Sequence, residues 1–456
     1  MPSLLNFYRN LRGRYDLMAL LGKWDHDYRR ELVVTILVFV LFSYSVATWN
    51  TIYDLIMMVI EGGIILIQFG TEMSILPADY RPSHGGVKYT AQTSTHVAYD
   101  ELSYLMSSVY PAVVEEAFGF NNPVTGWGLC RESPLVSSSV DDALMTCDIL
   151  RYREDKSETN YIRSRHQLRY LTIRVANKLQ HTTNGVKLEL YDMADALMGG
   201  RPVTVRKAYY FDALLTAEAF RSRIFRGNLQ GEKEVYTDLT TYFPAQREMI
   251  DGQDSLRFIP DFYRGISGCI GITSLLLTEN RRVAMLFQGS GNAVGANMIC
   301  LGGSGSMNYS DLEQAGTPED LRDVLTYALA RETCEETGMP GKWFGEVRKN
   351  TMVTGFFRWI DRCGHPEFVG ITRAGNVPFS KQRAIDGDEV VRFEEIPVTV
   401  NTIEDFHKVL AFVREHKLHV ALSSLMALHR MTVIAGYAAG TEQQKKIYKT
   451  VSEFLA

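Results

Sequence analysis

The chain has 456 residues, 46% hydrophobic and 22% charged, with a formal net charge of −5 at pH 7. That length buries a sizeable core and calls for two or three domains, and the composition excludes disorder over most of the chain. The small acidic balance gives no sign of a nucleic-acid polymer as partner.

Taken in chain order, the first 31 residues carry Arg9, Arg12, Arg14, Lys23, Arg29 and Arg30. Leu32 to Trp49 follows as an uncharged run of 18 residues. As a helix it would span roughly 27 Å, close to the hydrocarbon thickness of a bilayer. A second apolar stretch, TIYDLIMMVIEGGIILIQFG, is interrupted by Asp54 and Glu61. We expect two membrane helices over 32–71, with 1–31 held in the cytoplasm by its basic residues and the chain beyond 72 returned there. A buried helix pair, or one tilted span with an interfacial helix, remains the alternative. Asp54 and Glu61 lie seven residues apart, on one helical face. They line a polar seam in an oligomer, or one sits in the turn while the other snorkels.

Residues 72–86 contain PADYRPSHGG and read as a linker. A mixed connecting region, 87–200, follows. Its apolar spacing predicts a helix from Thr95 to Phe118, and its two-signed stretch RYREDKSETNYIRSRHQLRYLTIRVANKLQ reads as a solvated helix face. Strands are predicted at VKLELYDM, VTVRKAYYF, RVAMLF, ANMICLGG, TMVTGFFRWID, PEFVGITRA and VVRFEEIPV. One long helix interrupts them, and residues 401–456 return to helix. This order predicts an α/β sandwich over 201–400 with closing helices. The six cysteines (Cys130, Cys147, Cys269, Cys300, Cys334, Cys363) show no C-x-x-C or zinc spacing, which predicts buried thiols in a cytoplasmic soluble part.

The interrupting helix carries the chemistry. Thr317-Pro318-Glu319-Asp320 supplies a hydroxyl N-cap, a proline for the first turn and two acids, and Gly338 is placed as the stop. Glu332, Glu335 and Glu336 fall at i, i+3 and i+4 on one face, with Arg331 four residues before Glu335 to hold its carboxylate. Three adjacent carboxylates suit a hard divalent cation such as Mg²⁺, which can also bind a diphosphate; a solvated acidic face is the alternative reading.

The string RETCEETGM, Arg331 to Met339, resembles the R-E-U-x-E-E-x-G-U core of the Nudix box. The resemblance covers about 201–400. It implies an α/β/α sandwich with Glu332, Glu335 and Glu336 as metal ligands. In active members it implies hydrolysis of nucleoside diphosphate derivatives, with Arg331, Glu335 and Glu336 as candidate catalytic residues. The pattern departs at two places: Asp323 stands where the family has glutamate, and Thr317 where it has glycine, with Gly316 beside it. The glycine loop is then Gly302, Gly303, Ser304, Gly305 and Ser306, displaced by an insertion, and its backbone N–H groups are candidates for phosphate recognition.

Two apolar runs followed by a divergent Nudix box also resemble the transmembrane Nudix effectors associated with CD-NTase (SMODS) enzymes of CBASS, a bacterial antiphage system. That resemblance implies a multi-pass inner-membrane protein in the lipid bilayer. Its cytoplasmic domain would bind a cyclic oligonucleotide, and its membrane helices would assemble as a homo-oligomer and disrupt the membrane. The alternative is a membrane-tethered Nudix hydrolase that uses Mg²⁺.

Overall fold

The computed structural model describes the larger part of 141–175, 184–192, 200–243, 265–289, 298–379 and 390–456, with strand segments inside 83–93, 116–132 and 245–258. Its described residues form two compact units. The smaller is drawn from 83–93, 162–184 and 222–241. There Val87–Thr93 pairs antiparallel with Ser222–Gly227, which pairs with Lys233–Asp238. The helix Arg165–Val175 packs on that sheet and buries Leu168, Tyr170 and Leu171. The charged stretch from 151 to 180 is therefore not one solvated helix. It divides between a strand and a largely buried helix, whose Arg169 guanidinium sits 4.5 and 4.7 Å from the ring centroids of Tyr89 and Tyr236.

The larger unit holds a nine-stranded mixed sheet. Its strands are β1 (Glu116–Asn122) and β2 (Gly126–Glu132). Outside that sheet, β3 (Tyr152–Asp155), β4 (Val186–Asp192) and β5 (Val203–Tyr209) form a three-stranded sheet in the order β3-β5-β4. The large sheet continues with β6 (Gly271–Leu277), β7 (Arg282–Gln288), β8 (Ile299–Cys300) and β9 (Ser304–Ser306). Helices α1 (Tyr309–Gln314), α2 (Leu321–Glu336) and α3 (Phe344–Lys349) come next. Strands β10 (Thr351–Trp359), β11 (His365–Arg373) and β12 (Val390–Thr399) complete the sheet. The chain ends in α4 (Phe406–Glu415), α5 (Leu422–Gly436) and α6 (Glu442–Leu455). The sheet order is β8-β7-β6-β11-β10-β2-β1, with β9 added to β6 and β12 to β7.

Strand β6 reads GITSLLL and is buried at every position. It runs parallel to β11, and a central parallel strand covered on both faces has no polar side to alternate with. The two covers are α2 and α5. A Cβ on Gly370 would meet Leu329 of α2 at 2.7 Å, whereas one on Gly355 would meet Arg430 of α5 at 2.6 Å. Gly355 pairs with Val369, the residue next to Gly370, so the two glycines face opposite sides of the pleat.

The expected N-terminal transmembrane segment does not stand as part of this fold. Residues 32–71 lie outside the described residues. Among the described residues no helix is long and apolar enough to cross a membrane. A crossing needs about 20 apolar residues, whereas α2 has 16 and α5 has 15 with Arg430 among them. The fold is accordingly mixed α/β with several sheets. Of the predicted helix over 95–118, only 116–118 are described, and they open strand β1.

Helix α2 starts later than its sequence signal suggests. The N-cap is Asp320, and the expected cap Thr317 lies outside the described residues: the Asp320 carboxylate accepts from the Arg322 backbone N–H at 3.0 Å and from the Leu150 N–H at 3.1 Å. The stop is where expected. Gly338 has φ 62, and Gly338 N–H and Met339 N–H close back on the Glu335 and Cys334 carbonyls at 3.1 and 2.8 Å. Asp320→Ala is expected to lower stability by about 1–2 kcal/mol, read by thermal melting. An unchanged melting temperature would remove the cap from the account.

Candidate functional site

The C-terminal half of α2 lies directly on β9, and glycine makes that approach possible. A Cβ on Gly303 would fall 2.4 Å from the Thr333 backbone nitrogen, and one on Gly305 would fall 2.3 Å from the Glu332 carboxyl carbon. On its other edge β9 pairs with β6, Gly305 opposite Ile272 and Ser304 opposite Thr273. The predicted glycine loop thus leads into a short strand under the acidic helix. Gly303 leaves room for the α2 backbone and Gly305 for the Glu332 side chain.

Arg331 organises what lies above. Its Nε and Nη2 donate to the two carboxylate oxygens of Asp311 at 2.8 and 3.0 Å, and its Nη1 donates to Glu332 and to Glu335, each at 2.8 Å. Nη2 also reaches the Ser306 carbonyl at 3.4 Å. Burial disfavours the charge on this guanidinium, but Glu332, Asp311 and Glu335 outweigh that and hold its pKa above the usual arginine range. Burial also pushes the Glu332 carboxyl up to about 7, against the pull of Arg331 and Lys187. Glu335 is 58% exposed. Glu336 points the other way, buried, and accepts from Ser304 Oγ at 3.1 Å. Ser304 Oγ also lies 3.3 Å from Cys300 Sγ, whose thiol is pushed up to about 12 by burial and by Glu336.

The structure therefore brings Arg331, Glu332 and Glu335 together with Ser306, and Glu336 with Ser304. The donor types suit a divalent cation, but as arranged the side chains do not fit one. Glu332 and Glu335 converge on Arg331, and Glu336 is turned toward Ser304. Among the described residues no three acid, histidine or cysteine side chains approach closely enough to hold a metal.

Three contributors were missed in the sequence. Asp311, 1% exposed, is the buried partner of Arg331; Asp323, at the acidic position of the motif, takes no part in those contacts. Asp311 also accepts from the Asn308 N–H at 2.8 Å, closing a capping box at the start of α1. An Asn-x-x-Asp spacing was visible, but the helix it starts is only six residues long. Lys187 comes from β4, more than a hundred residues earlier. Its Nζ donates to Asn308 Oδ1 at 2.8 Å, and burial lowers its pKa while Glu332 opposes that. Glu367 on β11 accepts from Thr273 Oγ at 3.1 Å, and burial pushes it up to about 7.

The aromatic residues near this part of the sheet are mostly core. Met285 and Phe357 are buried, Phe356 packs on Phe368 with ring centroids 4.8 Å apart, and the Arg362 guanidinium lies 4.9 Å from the Trp359 ring centroid. The Arg392 guanidinium lies 3.8 Å from the Phe287 ring centroid. Arg281 donates to the Val400 and Leu455 carbonyls at 2.9 Å each.

No protein-family model matches the chain, and no curated protein does. Among solved structures it is similar to the crystal structure of DR0079 from Deinococcus radiodurans. The identity is 12%, the match covers 45% of this chain and 96% of that one, and the TM-score is 0.25. A likeness that distant carries no argument about fold or activity.

Removing the Asp311 charge leaves a buried guanidinium short of a partner. Asp311→Asn is expected to cost about 3 kcal/mol, with Asp323→Asn within about 0.5 kcal/mol of wild type, both read by denaturant unfolding. Equal effects would contradict the assignment. A pH dependence also follows. Between pH 4.5, the ordinary value, and about 7, folded Glu332 holds a proton that the unfolded chain has released. Stability therefore falls as pH rises through that window and levels off above it. Glu332→Gln is expected to flatten part of that slope, the share from Glu367 remaining; an unchanged slope would mean Glu332 titrates normally.

Proposed function

We propose that this chain is a nucleotide receptor whose Nudix-type domain binds a cyclic oligonucleotide made during bacterial antiphage (CBASS) defence, with assembly of copies as the output. The proposal concerns ligand binding and assembly alone. One observation supports a receptor over a hydrolase: a single guanidinium occupies both Glu332 and Glu335 at 2.8 Å while Glu336 faces Ser304. Carboxylates tied to internal partners are poorly placed to hold a metal and activate water. They suit a network whose arrangement a ligand can bias, which requires only that it bind one arrangement more tightly than another.

A second reading is hydrolysis of a nucleoside diphosphate derivative with Mg²⁺. It draws on the Glu332 carboxyl, whose elevated pKa of about 7 matches the working range of a general base.

Calorimetry and product chromatography on the full-length chain separate the two. The panel comprises cyclic di- and trinucleotides, dinucleotide cofactors and nucleotide sugars, each with and without Mg²⁺. The receptor reading expects one cyclic oligonucleotide to bind without being cleaved. Metal-dependent turnover of a diphosphate, abolished in Glu335→Gln, would overturn it in favour of the enzyme.

A further inference from the structure

Strand β12 is an open edge of the large sheet. Among the described residues it pairs with β7 alone, although it runs for ten residues, Val390 to Thr399. An edge that long presents a row of backbone N–H and C=O groups with which another chain can pair. The direction of those groups follows from β7. Gln288 N–H donates to the Met298 carbonyl at 2.9 Å, and Leu286, two residues earlier, lies opposite Cys300 of β8. Alternate residues of a strand turn their backbone groups to opposite neighbours. Met285 and Phe287 therefore turn theirs to β12, where they lie opposite Glu394 and Arg392. Phe393 and Glu395 are left facing the open side.

The side chains decide what can pair there. Val391, 62% exposed, is the most exposed large apolar side chain among the described residues. Arg392 and Glu394 are 57% and 45% exposed and share one face, Arg392 Nε lying 3.2 Å from Glu394 Oε1. Charge of one sign would make an edge repel a copy of itself. Here the two signs sit two residues apart. Pro397 has no N–H to offer and ends a ladder on its side.

We infer that β12 is a self-pairing edge, through which two copies of this chain join antiparallel about a two-fold axis at Phe393. A symmetric antiparallel pair is centred on one residue, and the choice of centre decides which charges meet. Centred on Arg392 or on Glu394, that residue would face its own counterpart. Centred on Phe393, Arg392 of each copy faces Glu394 of the other, and the open backbone groups of the two Phe393 residues meet. Residues directly opposite in a sheet lie close enough for opposite charges to attract and like charges to destabilise. Val391 is then covered by the strand of the second copy. The pairing needs no nucleotide, so it goes beyond the receptor reading and supplies one contact for the assembly of copies.

The test is sedimentation of the full-length chain, without nucleotide, over a range of concentrations. The wild-type chain is expected to associate. Arg392→Glu sets acid opposite acid, and Glu394→Arg sets base opposite base; each is expected to weaken association about tenfold. An equimolar mixture of the two variants is expected to recover it, since acid faces base in every mixed pair. An ion pair within one copy cannot produce that recovery. Both side chains are exposed, and melting curves check that each variant folds. A wild-type chain that stays monomeric, single variants that associate like wild type, or a mixture that recovers nothing would each overturn the inference. Nucleotide binding, measured separately, would then still decide the receptor reading.

Discussion

A guanidinium taken out of water must find acceptors for its donors or raise the free energy of the whole fold. Arg331 finds three carboxylates and a carbonyl, and much of the surrounding structure is arranged by that requirement. Asp311 has to be buried to meet it, so α1 must fold and be capped by Asn308. Glu332 has to approach from the same helix, so α2 must lie close over β9. The approach is close because Gly303 and Gly305 have no side chains to hold the backbones apart. The elevated pKa of Glu332 follows from the same crowding: burial raises it, and the partial compensation by Arg331 and Lys187 keeps it near 7.

The pleat separates two sets of groups. Glu332 packs on Gly305, opposite Ile272, while Ser304, opposite Thr273, points through the other face toward Cys300 and Glu336. The periodicity of α2 places its three glutamates on one side of the helix, but β9 then divides their surroundings. Helical spacing correctly groups the side chains on a wheel. It does not say what each will find when the helix lands on a strand.

Much of the scaffold was legible before the structure. Strands β4, β5, β7, β8, β10, β11 and β12 and the three closing helices were expected from their apolar patterns, whereas the central strand β6, buried at every position, has no alternation to read and was not. The stop at Gly338 was legible because a left-handed residue after a helix favours glycine. The start was not: Thr317-Pro318 is a good cap sequence, but Asp320 wins because its carboxylate also satisfies the Leu150 N–H, a tertiary contact that no local pattern contains. The acidic string was legible as one face of a helix, and its internal pairing was not. Asp323 occupies the motif position, yet Asp311 holds Arg331. The contribution of Lys187 was hidden for the same reason, since β4 is brought to the site by backbone hydrogen bonds of Leu188 with Met307 and Ile270. The charged stretch after 151 misled because Arg169 is buried between two tyrosine rings, where cation–π contact replaces water.

The two cations of the site are anchored through one short helix. Asn308 caps α1 and accepts from Lys187; Asp311, three residues on, holds Arg331. Six residues make too little helix to stand alone, so α1 depends on these caps and pairs for its existence. Loss of the Lys187 contact to Asn308 would weaken the same cap that positions Asp311, and through it the grip of Arg331 on Glu332 and Glu335. The direction is set by charge: Glu335, exposed and held by one hydrogen bond, is released more cheaply than Asp311, buried and held by two. Any loosening of the cap therefore frees the outer carboxylate first and leaves the buried Arg331–Asp311 pair as the fixed point.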